Sequence, residues 1–285
     1  MPFLPFFSCL ESIYLSFRPD DTTVSERVSA CLTDLSTWMK DHHLQLNLAK
    51  TELLVIPAKE SLSHNINLKI GSTIVTPNKV AKNLGVMIDD ELSCSNYIDS
   101  VTQTCQFQMS NVRNIRPVLT QYSTQRLVQA TVLSRVDYCN SLMTGLPACA
   151  LKPLQMIQNA AARLIFNQPK RTHVTPLFIE LHWLPIAARI KHKALTLAYK
   201  TITGTAPAYL KDLLTPYVTG RELRSSSTSR LALPSSRSRY SQSRLFSVVV
   251  PKWWNSLPEA ARLSTSLAAF KKQLKTFLFR ENLLD

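Results

Sequence analysis

The chain contains 285 residues, of which 45% are hydrophobic, enough for two modest domains or for one domain with a helical appendage. Its 5 glycines and 16 prolines argue against a glycine-rich nucleotide-binding fold, and no apolar run is long enough to cross a membrane. Six scattered cysteines, without a CxxC pair, favour reduced and mostly buried thiols in an intracellular protein of the nucleus or cytoplasm.

Charge is distributed unevenly along the sequence. Residues 1–110 contain 8 Lys/Arg and 12 Asp/Glu, a net charge of −4, whereas residues 111–285 contain 25 Lys/Arg and 7 Asp/Glu, a net charge of +18. Lysines and arginines that neutralise phosphates release condensed counterions, so the second part is expected to meet RNA or DNA. A cationic surface that only keeps the protein in solution is the alternative interpretation.

The first 90 residues are predicted to form a small region of mixed helix and strand. Residues 13–17 alternate as in a strand. Apolar residues then recur every three or four positions, which predicts a helix over residues 22–41 with one buried face. Further strands are predicted in three short segments: residues 52–56, residues 66–75 folded as a hairpin at Gly71-Ser72, and residues 79–90, where the strand is centred on Leu84 to Ile88.

From about Ser93 the apolar period becomes helical. The first stripe runs from Ile98 to Ile115 and ends at Arg116-Pro117. Further helices are predicted over residues 123–142, 151–167, 185–203 and 264–280. Residues 221–244 contain six arginines among many serines, and this composition predicts an exposed, partly disordered linker.

Five segments carry a further signal in their order along the chain. They are residues 46–52 (LNLAKTE), 82–89 (KNLGVMID), 133–147 (LSRVDYCNSLMTGLP), 155–165 (QMIQNAAARLI) and 246–276, which includes WNSLP and FKKQLKT. In that order they resemble motif D, the primer-grip hairpin, a thumb helix with its stop, the following helix and the C-terminal tail of non-LTR (LINE-type) retrotransposon reverse transcriptases. The resemblance covers nearly the whole chain from Ile13.

The resemblance also shows what is missing before Ile13. In the family, a Tyr/Phe-Ala-Asp-Asp turn precedes the strand that residues 14–17 resemble, and its aspartates bind Mg2+. Here residues 1–12 read MPFLPFFSCLES and are expected to be unrelated or mis-joined. Because two-metal polymerisation needs carboxylates that converge from separate strands, neither a cofactor nor polymerase activity is expected.

The predicted fold class is α+β. By resemblance, a small antiparallel palm remnant occupies residues 13–90, and a mostly α-helical thumb and connector occupies residues 91–215. A basic tail, made of the Ser/Arg-rich linker and a C-terminal helix, occupies residues 216–285.

The resemblance also implies which cations meet nucleic acid. Lys50 matches the motif D lysine, which lies near the phosphates of the incoming nucleotide, and the family's thumb grips the primer–template duplex. The expected nucleic-acid contacts are Lys82, Arg113, Arg116, Arg126, Arg135, Arg221, Arg224, Arg230, Arg237, Arg239 and Arg244.

The expected function is a catalytically inactive fragment of a reverse transcriptase that binds RNA or DNA weakly and without sequence preference. Neither a membrane nor a small-molecule substrate is expected as a partner. An interaction or structural protein without a nucleic-acid role is the main alternative. A truncated form of an active RNA-directed DNA polymerase, or a polymerase completed by a second chain, is also considered.

Several motifs also have a simple structural interpretation. Lys50 alone is commonly a solvated lysine at a strand end, the run from Asp137 to Asn140 is expected to pack and cap helices, and Trp253-Trp254 is expected to be a buried aromatic pair. Asp89-Asp90 superficially mimics a polymerase turn, but it follows the primer-grip-like segment and is therefore out of order. Asp20-Asp21 follows the first predicted strand and is out of order as well.

Overall fold

The computed structural model describes residues 12–18, 21, 23–57, 66–70, 73–217, 229–234 and 244–284. The chain forms two compact units, Met1–Tyr97 and Ile98–Asp285. The first unit contains one long helix and short strand pairs, and the second is predominantly helical. The predicted α+β class is therefore confirmed.

In its described residues, the first unit contains helix α1 (Val24–Asp41) and six short strands. Asp21 fixes the start of α1, because its carboxylate accepts hydrogen bonds from the backbone N–H (3.0 Å) and the hydroxyl (2.7 Å) of Thr23. The strands are β1 (Leu53–Leu54), β2 (Leu68–Ile70), β3 (Thr73–Val75), β4 (Pro77–Asn78), β5 (Val80–Asn83) and β6 (Val86–Asp89). β2 pairs antiparallel with β3 and β5 with β6, whereas β1 and β4 form a short parallel pair.

Two strand predictions in the first unit were wrong. Residues 13–17 are described with neither helix nor strand. The segment predicted as one strand around Leu84 is the hairpin of β5 and β6, and its two-residue turn places both Leu84 (φ 47°) and Gly85 (φ 81°) in the left-handed region. Such a turn matches the twist of a hairpin. The 66–75 hairpin is confirmed, although its Gly71-Ser72 turn lies outside the described residues.

The described residues of the second unit are predominantly helical. The helices are α2 (Ser95–Ile115, whose first three residues close the first unit), α3 (Gln121–Val128), α4 (Ser134–Asp137), α5 (Ala148–Ile165), α6 (Thr175–Leu181), α7 (Ile186–Ile202), α8 (Phe246–Asn255), α9 (Glu259–Arg262) and α10 (Leu267–Leu283). A π-helical segment, Gln129–Leu133, joins α3 to α4 within the helix predicted over residues 123–142. No helix in the described part of the chain is both long and apolar enough to span a membrane.

Helix α7 lies at the centre of the second unit's core and packs against α5, α8 and α10. The Phe270 ring of α10 stacks on Tyr199 of α7, with 4.5 Å between the ring centroids, and lies 5.6 Å from Trp254 of α8. Trp254 is buried, as predicted, and Trp253 is half-buried. The helices of the predicted basic tail therefore share one core with the predicted thumb and connector.

A buried amide network fixes the start of α7. The side chain of Gln158, which is fully buried, donates to the Leu184 carbonyl (2.9 Å). Gln155 Oε1 accepts from the backbone N–H of Ile186 (2.9 Å), and its Nε2 donates to Gln158 Oε1 (3.1 Å). The first N–H groups of a helix have no partner inside the helix, so these glutamines of α5 satisfy the beginning of α7.

Residues 229–234 depart from the expectation of an exposed linker. Leu231 is buried, and the Asn255 side chain bonds both its backbone N–H (2.9 Å) and its carbonyl (2.8 Å). Trp254 Nε1 donates to the Ser229 carbonyl at 2.8 Å. A backbone bridge between Pro216 and Leu231 adds a further connection. This part of the Ser/Arg-rich segment is therefore held on the core.

Candidate nucleic-acid interface

The predicted phosphate contacts lie in different environments. Arg113 on α2, Arg126 on α3 and Arg135 on α4 are exposed on the second unit. Lys50 and Lys82 are exposed on the first unit. These five side chains are therefore accessible to an anionic ligand.

The arginines of residues 221–244 are described only in part. Arg230 is exposed and belongs to the segment held by α8, since its carbonyl accepts from the Tyr217 N–H at 2.9 Å. Arg244 is half-buried immediately before α8. The other four, Arg221, Arg224, Arg237 and Arg239, lie outside the described residues.

Arg116 is bonded within the protein. Its guanidinium donates from Nε to the Leu164 carbonyl (3.1 Å), from Nη2 to the Ile165 carbonyl (2.9 Å) and from Nη1 to the Leu119 carbonyl (2.8 Å). Leu164 and Ile165 end α5, where carbonyls lack partners inside the helix and a positive charge is favourable. Arg116 therefore stabilises the end of α5, and most of its hydrogen-bonding capacity is used before any ligand binds.

The run from Asp137 to Asn140 connects helices, as was predicted, although its side chains cap none of them. The Asp137 carboxylate accepts from Arg189 of α7 at both oxygens, and the bond from Nε is 2.8 Å long. Asn140 Nδ2 also donates to Asp137 at 3.3 Å, and Asn140 is buried. This paired geometry fixes the direction of the Arg189 guanidinium.

Three lysines that were not among the predicted contacts form a cationic surface on α10. Lys271, Lys272 and Lys275 are exposed, and none forms an ion pair with a described residue. They lie outside the buried stripe of Phe270, Leu274 and Leu278. Three lysines among five residues, all outside the apolar stripe, were the signal that could have identified this surface.

A surface depression of 360 Å³ lies beside α10 in the second unit. Its lining residues are Gln129, Leu133, Ser134, Asp137, Leu181, His182, Trp183, Arg189 and Lys275. Asp137 is the one acidic residue of this lining, and both of its oxygens already accept from Arg189. Lys275 therefore contributes a positive charge with no carboxylate partner among the described residues.

His192 of α7 lies next to these cations. Burial lowers the pKa of His192 below its ordinary value, and a hydrogen bond with the backbone of Lys271 acts in the opposite direction. The positive charges of Lys271, Lys275 and Arg189 lower the pKa further. His192 is therefore neutral at pH 7.

The Asp89-Asp90 pair does not fit a magnesium site. Asp89 is buried, and its carboxylate accepts from the backbone N–H groups of Ser93 (2.6 Å) and Cys94 (2.9 Å) and from the Ser93 hydroxyl (3.2 Å). These bonds hold the turn that leads into α2. Within the described ranges, no group of three or more His, Cys, Asp or Glu side chains is arranged to hold a metal ion.

The described cysteines are free thiols, but the expectation that most are buried was wrong. Cys105 is buried, whereas Cys31 and Cys149 are exposed. Burial raises the pKa of the Cys105 thiol to about 11, and the nearby charge of Arg135 acts in the opposite direction. Its thiol donates to the Val132 carbonyl in the π-helical segment, with a sulfur–oxygen distance of 3.7 Å. Cys105 is a packing residue and not an activated nucleophile.

No protein-family model, curated protein or solved structure matches the chain. Function therefore has to be inferred from the charge, burial and geometry of its own residues.

Proposed function

We propose that this chain is a catalytically inactive fragment of a LINE-type reverse transcriptase that binds RNA or DNA without reading its sequence. The observation that carries the proposal is the net charge of +18 over residues 111–285. Within the described part of this region, ion pairs join Arg189 to Asp137 and Lys191 to Glu281. Two such pairs compensate little of the positive charge.

The exposed cations support backbone binding in preference to base reading. Arg113, Arg126 and Arg135 occur on three different helices, and the α10 lysines form a further surface. Contacts with phosphate oxygens position a protein on nucleic acid but carry no sequence information. Affinity from such contacts arises mainly from the release of counterions.

The hydrogen bonds that two aspartate carboxylates make within the protein support the proposed lack of polymerase activity. Polymerisation needs aspartates that converge on metal ions about 3.5–4 Å apart. In this chain Asp89 is committed to the turn before α2, and Asp21 is committed to the start of α1. We therefore expect no extension of a primer on an RNA template with Mg2+ or Mn2+.

Binding of the full chain to two unrelated sequences of equal length tests the proposal. Fluorescence anisotropy at low salt should give dissociation constants that agree within a few-fold. A variant with Lys271, Lys272 and Lys275 changed to Gln should bind more weakly by several-fold for each phosphate contact removed. The matched control changes three exposed lysines of the first unit, Lys40, Lys69 and Lys79, to Gln and should bind nearly as the unmodified chain does.

Two outcomes would contradict the proposal. Undetectable binding at low salt would show that the positive region only keeps the protein in solution. That result would favour the alternative of an interaction protein without a nucleic-acid role. Template-dependent incorporation of nucleotides that disappears in a variant with both Asp89→Ala and Asp90→Ala would show that the carboxylate pair is catalytic.

A further inference from the structure

We propose that the surface depression lined by Arg189 and Lys275, together with Lys271 one helical turn away, is a binding site for a phosphate group. This inference rests on the proposed function, since a nucleic-acid backbone is the expected source of the phosphate. Inorganic polyphosphate offers the same chemistry from a different source. The site is a defined location within the second unit's positive surface.

Arg189 is preorganised for an anion. Its Nε and Nη2 donate to Asp137, while Nη1 makes no hydrogen bond to a described residue. The amide network of Gln155 and Gln158 fixes the first turn of α7, which carries Arg189. The guanidinium is therefore held in place before a ligand arrives, and its ordering is not an additional cost of binding.

The lysines of α10 supply the second side of the site. Lys271 and Lys275 are separated by four residues and therefore lie on the same side of the helix, where like charges repel each other. Both act electrostatically on His192 of α7, as does Arg189. Three cations from two helices thus act on one imidazole, and a phosphate bound in the depression would offset their positive charge.

The remaining lining groups add one free polar donor to these cations. The Gln129 amide can donate a hydrogen bond, whereas the Ser134 hydroxyl already donates to the Ala130 carbonyl (2.5 Å) and His182 Nδ1 lies 3.2 Å from the Glu180 carbonyl. Both oxygens of Asp137 are bonded to Arg189, so the charges of this pair offset each other and Lys275 supplies the uncompensated positive charge of the lining. The chemistry of the depression therefore favours an anion with several acceptor oxygens.

Occupation of this site should change the protonation of His192. The cations that act on it are Arg189 on α7 and Lys271 and Lys275 on α10, and Arg189 is paired with the carboxylate of Asp137. A bound phosphate offsets this positive charge and favours the protonated imidazole, so the pKa of His192 rises toward its ordinary value. Binding then takes up a proton and becomes tighter as the pH falls from about 7.5 to about 6.

The experiment uses the full chain with two probes, inorganic tripolyphosphate and a short single-stranded DNA. NMR follows the His192 ring proton during pH titrations with and without each probe, and calorimetry in two buffers of different ionisation enthalpy counts the protons taken up. We expect both probes to raise the pKa of His192. If the rise is about one unit, affinity should increase by a few-fold across this pH range, and the full tenfold is reached only well below the pKa of His192 in the free protein.

Charge variants give a second, independent readout. Lys275→Gln should weaken tripolyphosphate binding several-fold and, by removing a repelling cation, raise the pKa of His192 in the free protein. Lys170→Gln, an exposed lysine in a loop, is the matched control and should leave both unchanged. Because unfolding would also expose His192 and raise its pKa, the circular dichroism spectrum of Lys275→Gln has to match that of the unmodified chain.

The outcomes separate this site from the proposed function. An unchanged pKa of His192 at saturating tripolyphosphate, with Lys275→Gln binding as tightly as the unmodified chain, overturns the site. If DNA still binds in that case, the proposed function stands without it. If tripolyphosphate binds with proton uptake but no nucleic acid binds, the site stands and the proposed function fails.

Discussion

Substitutions of Arg116 and Arg113 can separate an effect on the stability of the fold from an effect on nucleic-acid binding. Both were predicted to contact phosphate, but Arg116 donates to three carbonyl oxygens whereas Arg113 is exposed on α2. Arg116→Gln removes the three bonds and leaves the carbonyl of Ile165, a fully buried residue, without its partner. Arg113→Gln removes the same charge from the surface.

The expected cost of Arg116→Gln follows from these contacts. A hydrogen bond from a charged donor contributes about 1.5–3 kcal/mol when buried, and the partial exposure of Arg116 reduces this contribution. Water can satisfy part of what is lost, so we expect the free energy of unfolding to fall by about 2–4 kcal/mol. Arg113→Gln should stay within about 0.5 kcal/mol of the unmodified chain, as for most surface substitutions.

Urea denaturation followed by circular dichroism, paired with DNA titrations at low salt, measures both effects. Arg116→Gln should shift the unfolding midpoint while the slope stays unchanged, and should retain most of its affinity under conditions where it is folded. Arg113→Gln should leave the unfolding midpoint unchanged and weaken the binding of DNA. Equal stability of the two variants would refute the assignment of Arg116 as the residue that caps α5.

The remaining predictions concern other parts of the fold. Asn255→Ala should lower the free energy of unfolding by about 2–3 kcal/mol and speed amide exchange at Leu231. The control Ser256→Ala loses one exposed hydrogen bond and should lower it by less than about 0.5 kcal/mol. Equal losses would contradict the docking of residues 229–234. In thermal unfolding, Asp89→Ala should destabilise the turn before α2 by about 2–4 kcal/mol and Asp90→Ala by much less. The opposite order would show that Asp90, and not Asp89, holds this turn. Amide exchange should be much faster in the first unit than in α5 and α7, because α1 buries only its first residue fully; uniformly slow exchange would reveal a complete core there.

Long periodic helices were predictable from the sequence. The apolar repeats identified α1, α2, α5, α7 and α10 to within a few residues, because helices of 17 to 21 residues carry enough turns to show their period. α6 has only 7 residues, and α8 contains three consecutive valines and an internal proline, Pro251. Those features favour strands or breaks locally, and only packing in the core makes α8 helical.

Contacts between distant residues explain the predictions that were wrong or missed. Leu231 is buried because Asn255, 24 residues later, satisfies its backbone, and no local pattern shows this. The partners of Arg116 in α5 are 48 and 49 residues away, so its sequence neighbours cannot distinguish a helix cap from a phosphate contact. The site at Arg189 and Lys275 likewise depends on the packing of α7 against α10.

The salt dependence of nucleic-acid affinity tests the central claim most directly. If about five phosphates are neutralised on duplex DNA, log affinity should fall with log salt concentration with a slope of about −4 to −5, equally for unrelated sequences. Changing Arg221, Arg224, Arg230, Arg237, Arg239 and Arg244 to Gln should make the slope shallower if the Ser/Arg-rich segment contributes contacts. A slope near zero, or a strong preference for one sequence, would contradict binding through phosphate neutralisation.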